Sequence, residues 1–587
     1  MINSIRIDRN VPMEMRDGTI LRADIHRPDD NGKHPVILTR TPYDKILRKD
    51  NTFMNPIDTV FAGYIRVIQD IRGRFASDGE YYLGEHVTIG AQDAYDTIEW
   101  LASQPWCDGN VGMIGTSYEG SLQWPTAMTN PPHLKAIAPD VGPCGPVFEQ
   151  ALMGGPPYLA FLAYWTLQVG SDIADKLEKE GEDVSKMRQM IARGFDDGTE
   201  MLNSLPLKDN PYFDFNGIRE IWNGIVLNFN PPTDLGDNLY WDYSQVKVPV
   251  LNVCGWFDIS TWSTFKNFSG MRDKGGSEFA RQHQHIFMGP WKHGAQSDTY
   301  LGEMDFGFHS FVGFNIGPGS PGYSHHLAFF DKYLRGKDIE LPALLYFTMG
   351  ENRWHTAEEW PLPGTEQQRF FLHSKGHANT TNGDGVLSRG EPADESPDNY
   401  VYDPMNPVPT TGGRHIYFAV IPGPRDQVHV ERRSDVLCYT SPELRDDVEV
   451  TGEIKLHLFA ATSARDTDFT AQLIDVFPDG RAYNMAHGVM RARFRKSIYQ
   501  EKAELVTPGE VNEYLIGLGV TSHLFRKGHR IRLDISSSSF PAWVRNMNTG
   551  NPPNEDAEGV PATQTVYHEG EFASYIEMPV IPRKWRT

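Results

Sequence analysis

Val111-Gly112-Met113-Ile114-Gly115-Thr116-Ser117-Tyr118-Glu119-Gly120 is the stretch on which the reading of this chain turns. An apolar run ends at Gly115, a serine follows two residues on, and Gly120 precedes a segment with helical potential. That pattern is strand, sharp turn, helix, with Ser117 at the apex. A serine so placed has its hydroxyl exposed on a strained backbone, as a nucleophile elbow requires. The generic pattern is G-x-S-x-G; here Glu119 stands where the second glycine belongs, and Gly120 comes one residue later. Gly-x-Ser also arises by chance in glycine-rich turns. A base, an orienting acid and an oxyanion donor must therefore come from elsewhere in the chain.

Outward from that stretch, short apolar strands alternate with helices. Val11 to Met15 and Thr19 to Ile25 flank the hairpin-turn signal Asp17-Gly18. His34 to Arg40 and Tyr64 to Asp70 read as strands, and Ala94, Ile98 and Leu101 mark one face of a helix that Pro105 stops. Leu134 to Pro139 is the strand after the elbow. This alternation predicts a largely parallel α/β sheet, with chemistry just past the strands' C-terminal ends. From about Gly145 to Asp242 the chain is helical and aromatic, as in Tyr158 to Leu167 and Val184 to Arg193, and reads as an inserted helical cap. Strands resume at Val248 to Val253 and at His285 to Met288. After about Trp360, strand-like runs such as Glu453 to Leu458, Thr470 to Val476 and His529 to Ile535 predict an antiparallel β-sandwich. The expected division is a catalytic domain over 1–145 and 243–355, a cap over 146–242 and a C-terminal β domain over 356–587.

Composition narrows the function. A chain of 587 residues is too long for one core. Its 39% hydrophobic and 22% charged residues are those of an ordinary globular protein. A net charge of −22 without a long basic run argues against nucleic-acid or anionic-membrane partners. Cys107, Cys144, Cys254 and Cys438 are far apart and form neither a disulfide framework nor a zinc site. No apolar run is long enough to span a bilayer, and the N-terminus lacks the apolar core of a signal peptide. A cytoplasmic protein with reduced thiols is the expectation; the oligomeric state is open.

Serine needs a histidine to take its proton and a carboxylate to orient that histidine. In α/β-hydrolase sheets the chain order is Ser, Asp, His, each on a loop after a strand. Ser117, Asp258 and His293 match it: Asp258 follows the strand ending at Val253, and His293 follows His285 to Met288 through Gly289-Pro290-Trp291. The rivals His133, His283, His285 and His309, and Asp140 and Asp273, are less well placed. The backbone N–H of Tyr118 is the expected oxyanion donor. For Tyr43, at the end of the first parallel strand, two readings stand: a phenol reaching the same space, or a ring packing beneath the loop.

On these residues the chain resembles the cocaine esterase and X-prolyl dipeptidyl aminopeptidase superfamily of serine hydrolases. The matching stretches are Arg40-Thr41-Pro42-Tyr43-Asp44-Lys45, Gln69-Asp70-Ile71-Arg72-Gly73-Arg74-Phe75-Ala76-Ser77, Gly115 to Gly120, Gly255-Trp256-Phe257-Asp258 and Gly289-Pro290-Trp291-Lys292-His293. Ala461 to Phe469 and Asp475 to Ala482 extend the match into the last third. The resemblance implies an α/β-hydrolase core, a helical cap and a jelly-roll-like β domain. It implies Ser117 as nucleophile, His293 as base, Asp258 as orienter, Tyr43 as a side-chain oxyanion donor and no metal or cofactor. Members carry S-Y-x-G, which accounts for Glu119. They cleave esters of bulky aromatic acids, amino-acid esters, β-lactam side-chain amides and prolyl peptides. The X-prolyl peptidases usually carry an extra N-terminal helical domain, which is not expected here because the hydrolase pattern begins almost at Met1. Amino-acid ester hydrolases hold the substrate ammonium with acids near the acyl pocket, and Asp140 to Phe148 is poor in acids. Phe161 and Trp165 of the cap, with Trp256 and Trp291, are the candidate pocket residues. The expectation is a serine hydrolase of small-molecule carboxylic esters, with amides as a further class. The rivals are an aminopeptidase or amino-acid ester hydrolase, and a non-catalytic binder using the β domain.

Overall fold

The computed structural model describes residues 2, 4–47, 54–82, 84, 87–233, 239–294, 298–310, 324–393, 395–416 and 419–582. Ten strands form the first sheet: β1 (Ile5–Glu14), β2 (Ile20–Pro28), β3 (His34–Thr41), β4 (Ile65–Asp70), β5 (Cys107–Thr116), β6 (Leu134–Asp140), β7 (Val250–Phe257), β8 (Gln284–Lys292), β11 (Leu344–Thr348) and β12 (Arg353–Ala357). A short ribbon of β9 (Tyr300–Leu301) and β10 (Met304–Asp305) intervenes. The order across the sheet is β1-β2-β4-β3-β5-β6-β7-β8-β11-β12. From β4 to β11 every neighbouring pair is parallel. Antiparallel strands close both edges. The parallel strands are covered on both faces, and every residue of β4 and β7 is buried, the polar Arg66, Gln69 and Asp70 of β4 included.

The helix after β4 runs Ile89–Ala102 and buries Ala94, Ile98 and Leu101, the face its spacing predicts. A further helix of this domain runs His325–Arg335.

Between β6 and β7 the chain passes through a run of helices, of which Leu159–Lys179 and Ser185–Asp196 are the longest. The first is twice as long as the segment Tyr158 to Leu167 suggested. Gly170 sits inside it because a Cβ there would stand 2.5 Å from Cδ1 of Ile218. What reads in sequence as a breaker is a close packing point between helices.

Among the described residues, eleven strands form the sheet of the β domain in the last third. Its long strand Val448–Thr462 pairs antiparallel with Asn512–Phe525, Ala562–Tyr567 and Tyr575–Ile581. Leu456, Leu458, Phe469, Leu473, Leu533 and Ile535 fill its core. The domain is stitched to the end of β11: Met349 N–H donates to Ser522 O at 3.0 Å and Leu524 N–H to Met349 O at 2.8 Å. Among the described residues no helix is long and apolar enough to cross a membrane.

Candidate active site

Ser117 caps the helix Tyr118–Ser121 with φ 63° and ψ −118°. A non-glycine residue in that region costs about 1–3 kcal/mol, so the surroundings must hold it there. They do so from below. Ser117 N–H donates to Asp140 O at 2.9 Å, and Ser121 N–H to Ser117 O at 2.8 Å. Gln123, buried under the turn, accepts from Ala138 N–H and donates to Ala138 O. The two glycines mark the closest approaches. A Cβ on Gly115 would stand 2.5 Å from Cβ of Glu119, and one on Gly120 would stand 2.8 Å from Asp140 O. Position 119 has room for a side chain, and Glu119 Oε2 accepts from Thr116 N–H at 3.3 Å. The displaced glycine is therefore the one that faces β6.

Asp258 and His293 follow the ends of β7 and β8. His293 Nδ1 lies 2.8 Å from Asp258 Oδ2, and Asp258 Oδ1 accepts from Ser260 N–H at 2.8 Å. Asp258 is fully buried, while the His293 side chain keeps 12% of its surface. The rival histidines are engaged elsewhere: His133 with Glu99, His283 with Phe279 O, and His285 with Pro342 O and Tyr333. Burial pushes His285 down to about 4. Asp140 lies beneath the elbow and has its own partner, His326, at 2.8 Å.

Tyr43 stands on the loop after β3, between Thr41, whose Oγ1 accepts Tyr43 N–H at 3.1 Å, and Asp44 at φ 69°. The stretch containing Gln69 to Arg74 clamps that loop. Asp70 accepts from Lys45 N–H at 2.8 Å and from Lys45 Nζ at 2.6 Å, with both side chains buried. Arg74 donates to Pro42 O at 3.1 Å and to Val169 O at 3.2 Å on the long helix, and lies 3.4 Å from Asp172. The two arginine-bearing motifs thus fix the Tyr43 loop to the sheet and to the helical segment together. From that helix, Trp165 Nε1–H donates to the Tyr43 hydroxyl oxygen at 2.8 Å.

Ser117, His293, Tyr43 and Tyr118 open onto one cavity of about 320 Å³. Phe148, Phe161, Trp165, Ile225 and Phe229 give it apolar walls. Val141, also at positive φ (47°), lines it too. Glu149 is the one acid among the described lining residues. Burial pushes its carboxyl up to about 7, and its Oε2 accepts from Ser263 N–H at 3.0 Å. Sequence reasoning missed it, because the stretch read as poor in acids ends one residue earlier.

Phe161 and Trp165 thus lie where the pocket was expected, and Trp256 and Trp291 do not. Trp256 is fully buried, with Nε1–H on Phe347 O at 2.6 Å. Trp291 is buried against Phe287 and Trp354, with Nε1–H on Ser310 O. Both are core residues of the sheet that supports Asp258 and His293. Among the described residues no three His, Cys, Asp or Glu side chains are grouped to hold a metal ion.

A parallel sheet with a strained serine elbow and a buried Asp–His pair at its C-terminal edge defines the α/β-hydrolase class. Family models narrow it. Residues 17–295 match the X-Pro dipeptidyl-peptidase (S15 family) model, and residues 338–577 match the X-Pro dipeptidyl-peptidase C-terminal non-catalytic domain. The chain is 36% identical to the cocaine esterase of Rhodococcus sp. (strain MB1 Bresler), over 98% of each protein. Among solved structures, an aminopeptidase from a marine sediment archaeon (Thaumarchaeota) matches with TM-score 0.78 and 26% identity, over 99% of this chain and 97% of that one. An α-amino acid ester hydrolase matches with TM-score 0.76 and 25% identity, over 98% and 97%. The chain belongs to the cocaine esterase and X-prolyl dipeptidyl aminopeptidase superfamily, and it is a serine hydrolase of esters.

Proposed function

We propose that Ser117 carries the reaction, with His293 as base and Asp258 as the carboxylate that orients it. Ser117 Oγ attacks the ester carbonyl as His293 Nε2 takes its proton. Asp258 holds Nδ1–H, which leaves Nε2 as the basic nitrogen and stabilises the imidazolium that forms. Tyr118 N–H and the Tyr43 hydroxyl receive the developing oxyanion. The imidazolium gives its proton to the departing alkoxide, leaving Ser117 acylated. Water, deprotonated by His293, then releases the acid. The observation that carries this reading is the convergence of a strained serine and a histidine bonded to a buried aspartate on one apolar cavity. At about 320 Å³, near the small end of ligand pockets, the cavity suits an apolar or aromatic acyl group.

Glu149 favours a second reading, in which the acid carries an amine. Hydrolysis of matched esters with and without an α-amino group decides between the two. Faster turnover of the amine-free benzoyl and butyryl esters supports the first. A strict requirement for the amine, lost in Glu149→Gln, supports the second, and no ester hydrolysis overturns both. We also read the β domain as jelly-roll-like, and the four buried, unpaired thiols as suited to the cytoplasm.

A further inference from the structure

The Tyr43 hydroxyl does not stand alone. Trp165 Nε1 lies 2.8 Å from its oxygen, and an indole nitrogen can only donate. The tyrosine oxygen is therefore the acceptor in this bond and keeps its own O–H to give to another group. The bond fixes which way that O–H can turn. It also polarises the phenol, because a hydroxyl that accepts one hydrogen bond donates a stronger one.

The indole is itself held in place. Its ring is offset-stacked on Tyr118, with centroids 6.3 Å apart and planes 21° apart, and Tyr118 meets Tyr43 edge-on at 6.4 Å. Trp165 is 7% exposed and lies on the helix that Arg74 ties to the Tyr43 loop through Val169 and Asp172. Tyr118 supplies the other donor assigned to the oxyanion. One aromatic group thus joins the long helix of the inserted segment to both of them.

We propose that Trp165 is a positioning residue for the oxyanion site: its indole N–H aims and strengthens the Tyr43 hydroxyl, so the helical segment completes the catalytic apparatus as well as walling the pocket. This rests on the roles of Ser117 and Tyr43 proposed above. The indole acts through Tyr43 and transfers no proton of its own.

The test replaces the N–H and keeps the shape. Benzothienylalanine at position 165 puts sulfur where the N–H was, and Trp165→Phe is a second variant lacking the donor. The substrate is p-nitrophenyl acetate, whose acyl group is too small to depend on packing against the indole. We expect each variant to lose kcat by roughly tenfold with little change in KM, the scale of a small misplacement of a catalytic group. Tyr43→Phe alone should cost roughly 10²–10³-fold. In the Tyr43→Phe background, the change at 165 should cost nothing further. Parent-level kcat in the benzothienylalanine variant, with Tyr43→Phe impaired, overturns the positioning role alone. An undiminished loss on top of Tyr43→Phe also overturns it, because Trp165 would then act by another route. A fully active Tyr43→Phe removes both this inference and the oxyanion role on which it rests.

Discussion

His293 Nδ1 lies 2.8 Å from Oδ2 of Asp258, a carboxylate whose other oxygen is taken by Ser260 N–H. That pairing fixes the ring's orientation and its tautomer. Asp258→Asn keeps the size, but with its one oxygen held by Ser260 N–H it turns an NH2 donor toward His293 Nδ1, so the imidazole is left with the wrong nitrogen protonated. We expect kcat to fall by roughly 10⁴-fold, the effect of the same change in a serine protease triad, with the fold intact by circular dichroism. A loss under about tenfold would show that another acid orients His293.

Gly120 faces the carbonyl of Asp140, and Gly142, nearby, does not meet anything so closely. An added Cβ would stand 2.8 Å from that oxygen at position 120, but 3.4 Å from its nearest neighbour at 142. Gly120→Ala should therefore cost about 1–3 kcal/mol, as overpacking does, and lower the activity, because the strained serine rides on that contact. Gly142→Ala should melt near the parent. Thermal melts and ester kinetics on the pair check the expectation.

The buried Lys45–Asp70 bond clamps the Tyr43 loop. Lys45→Met leaves Asp70 buried with its strongest partner gone, a change that costs about 3–5 kcal/mol in comparable pairs. We expect a lower melting temperature and a reduced kcat. Full activity in a destabilised variant would separate the clamp from the chemistry.

Glu149 sets a pH dependence of stability. Its carboxyl is raised from 4.5 to about 7 by burial. Between those values the folded chain holds the proton more tightly than the unfolded one. The contribution of this residue to stability is therefore greatest at low pH and falls as pH rises through the window, levelling off above about 7. Glu149→Gln retains an acceptor for Ser263 N–H and does not titrate. Relative to the parent, it should gain stability steadily as pH rises through that window, as read from melts at stepped pH. A difference that does not vary with pH would mean that the carboxyl titrates normally.

The strands, the elbow and the order Ser117, Asp258, His293 are legible in sequence because each rests on a local pattern: an apolar run, a turn residue, a fixed sequel. The long helix is half legible: Tyr158 to Leu167 carries the helical pattern, while its continuation through Gly170 depends on close packing against Ile218 from another helix. Glu149 was missed because nothing local distinguishes an acid turned into a cavity from one turned to solvent. Trp256 and Trp291 were misplaced for the converse reason. Proximity in sequence to Asp258 and His293 does not put a side chain on the same side of the strand, and both indoles bond to backbone carbonyls in the core. The Trp165–Tyr43 bond joins residues 122 apart in sequence, and no periodicity reports it.

The central claim is that Ser117 is the nucleophile, and active-site labelling tests it most directly. A fluorophosphonate probe should modify the intact protein once, with the adduct mapped by mass spectrometry to Ser117, and should leave Ser117→Ala unmodified. An intact protein that does not label, or a Ser117→Ala variant that still does, would contradict it.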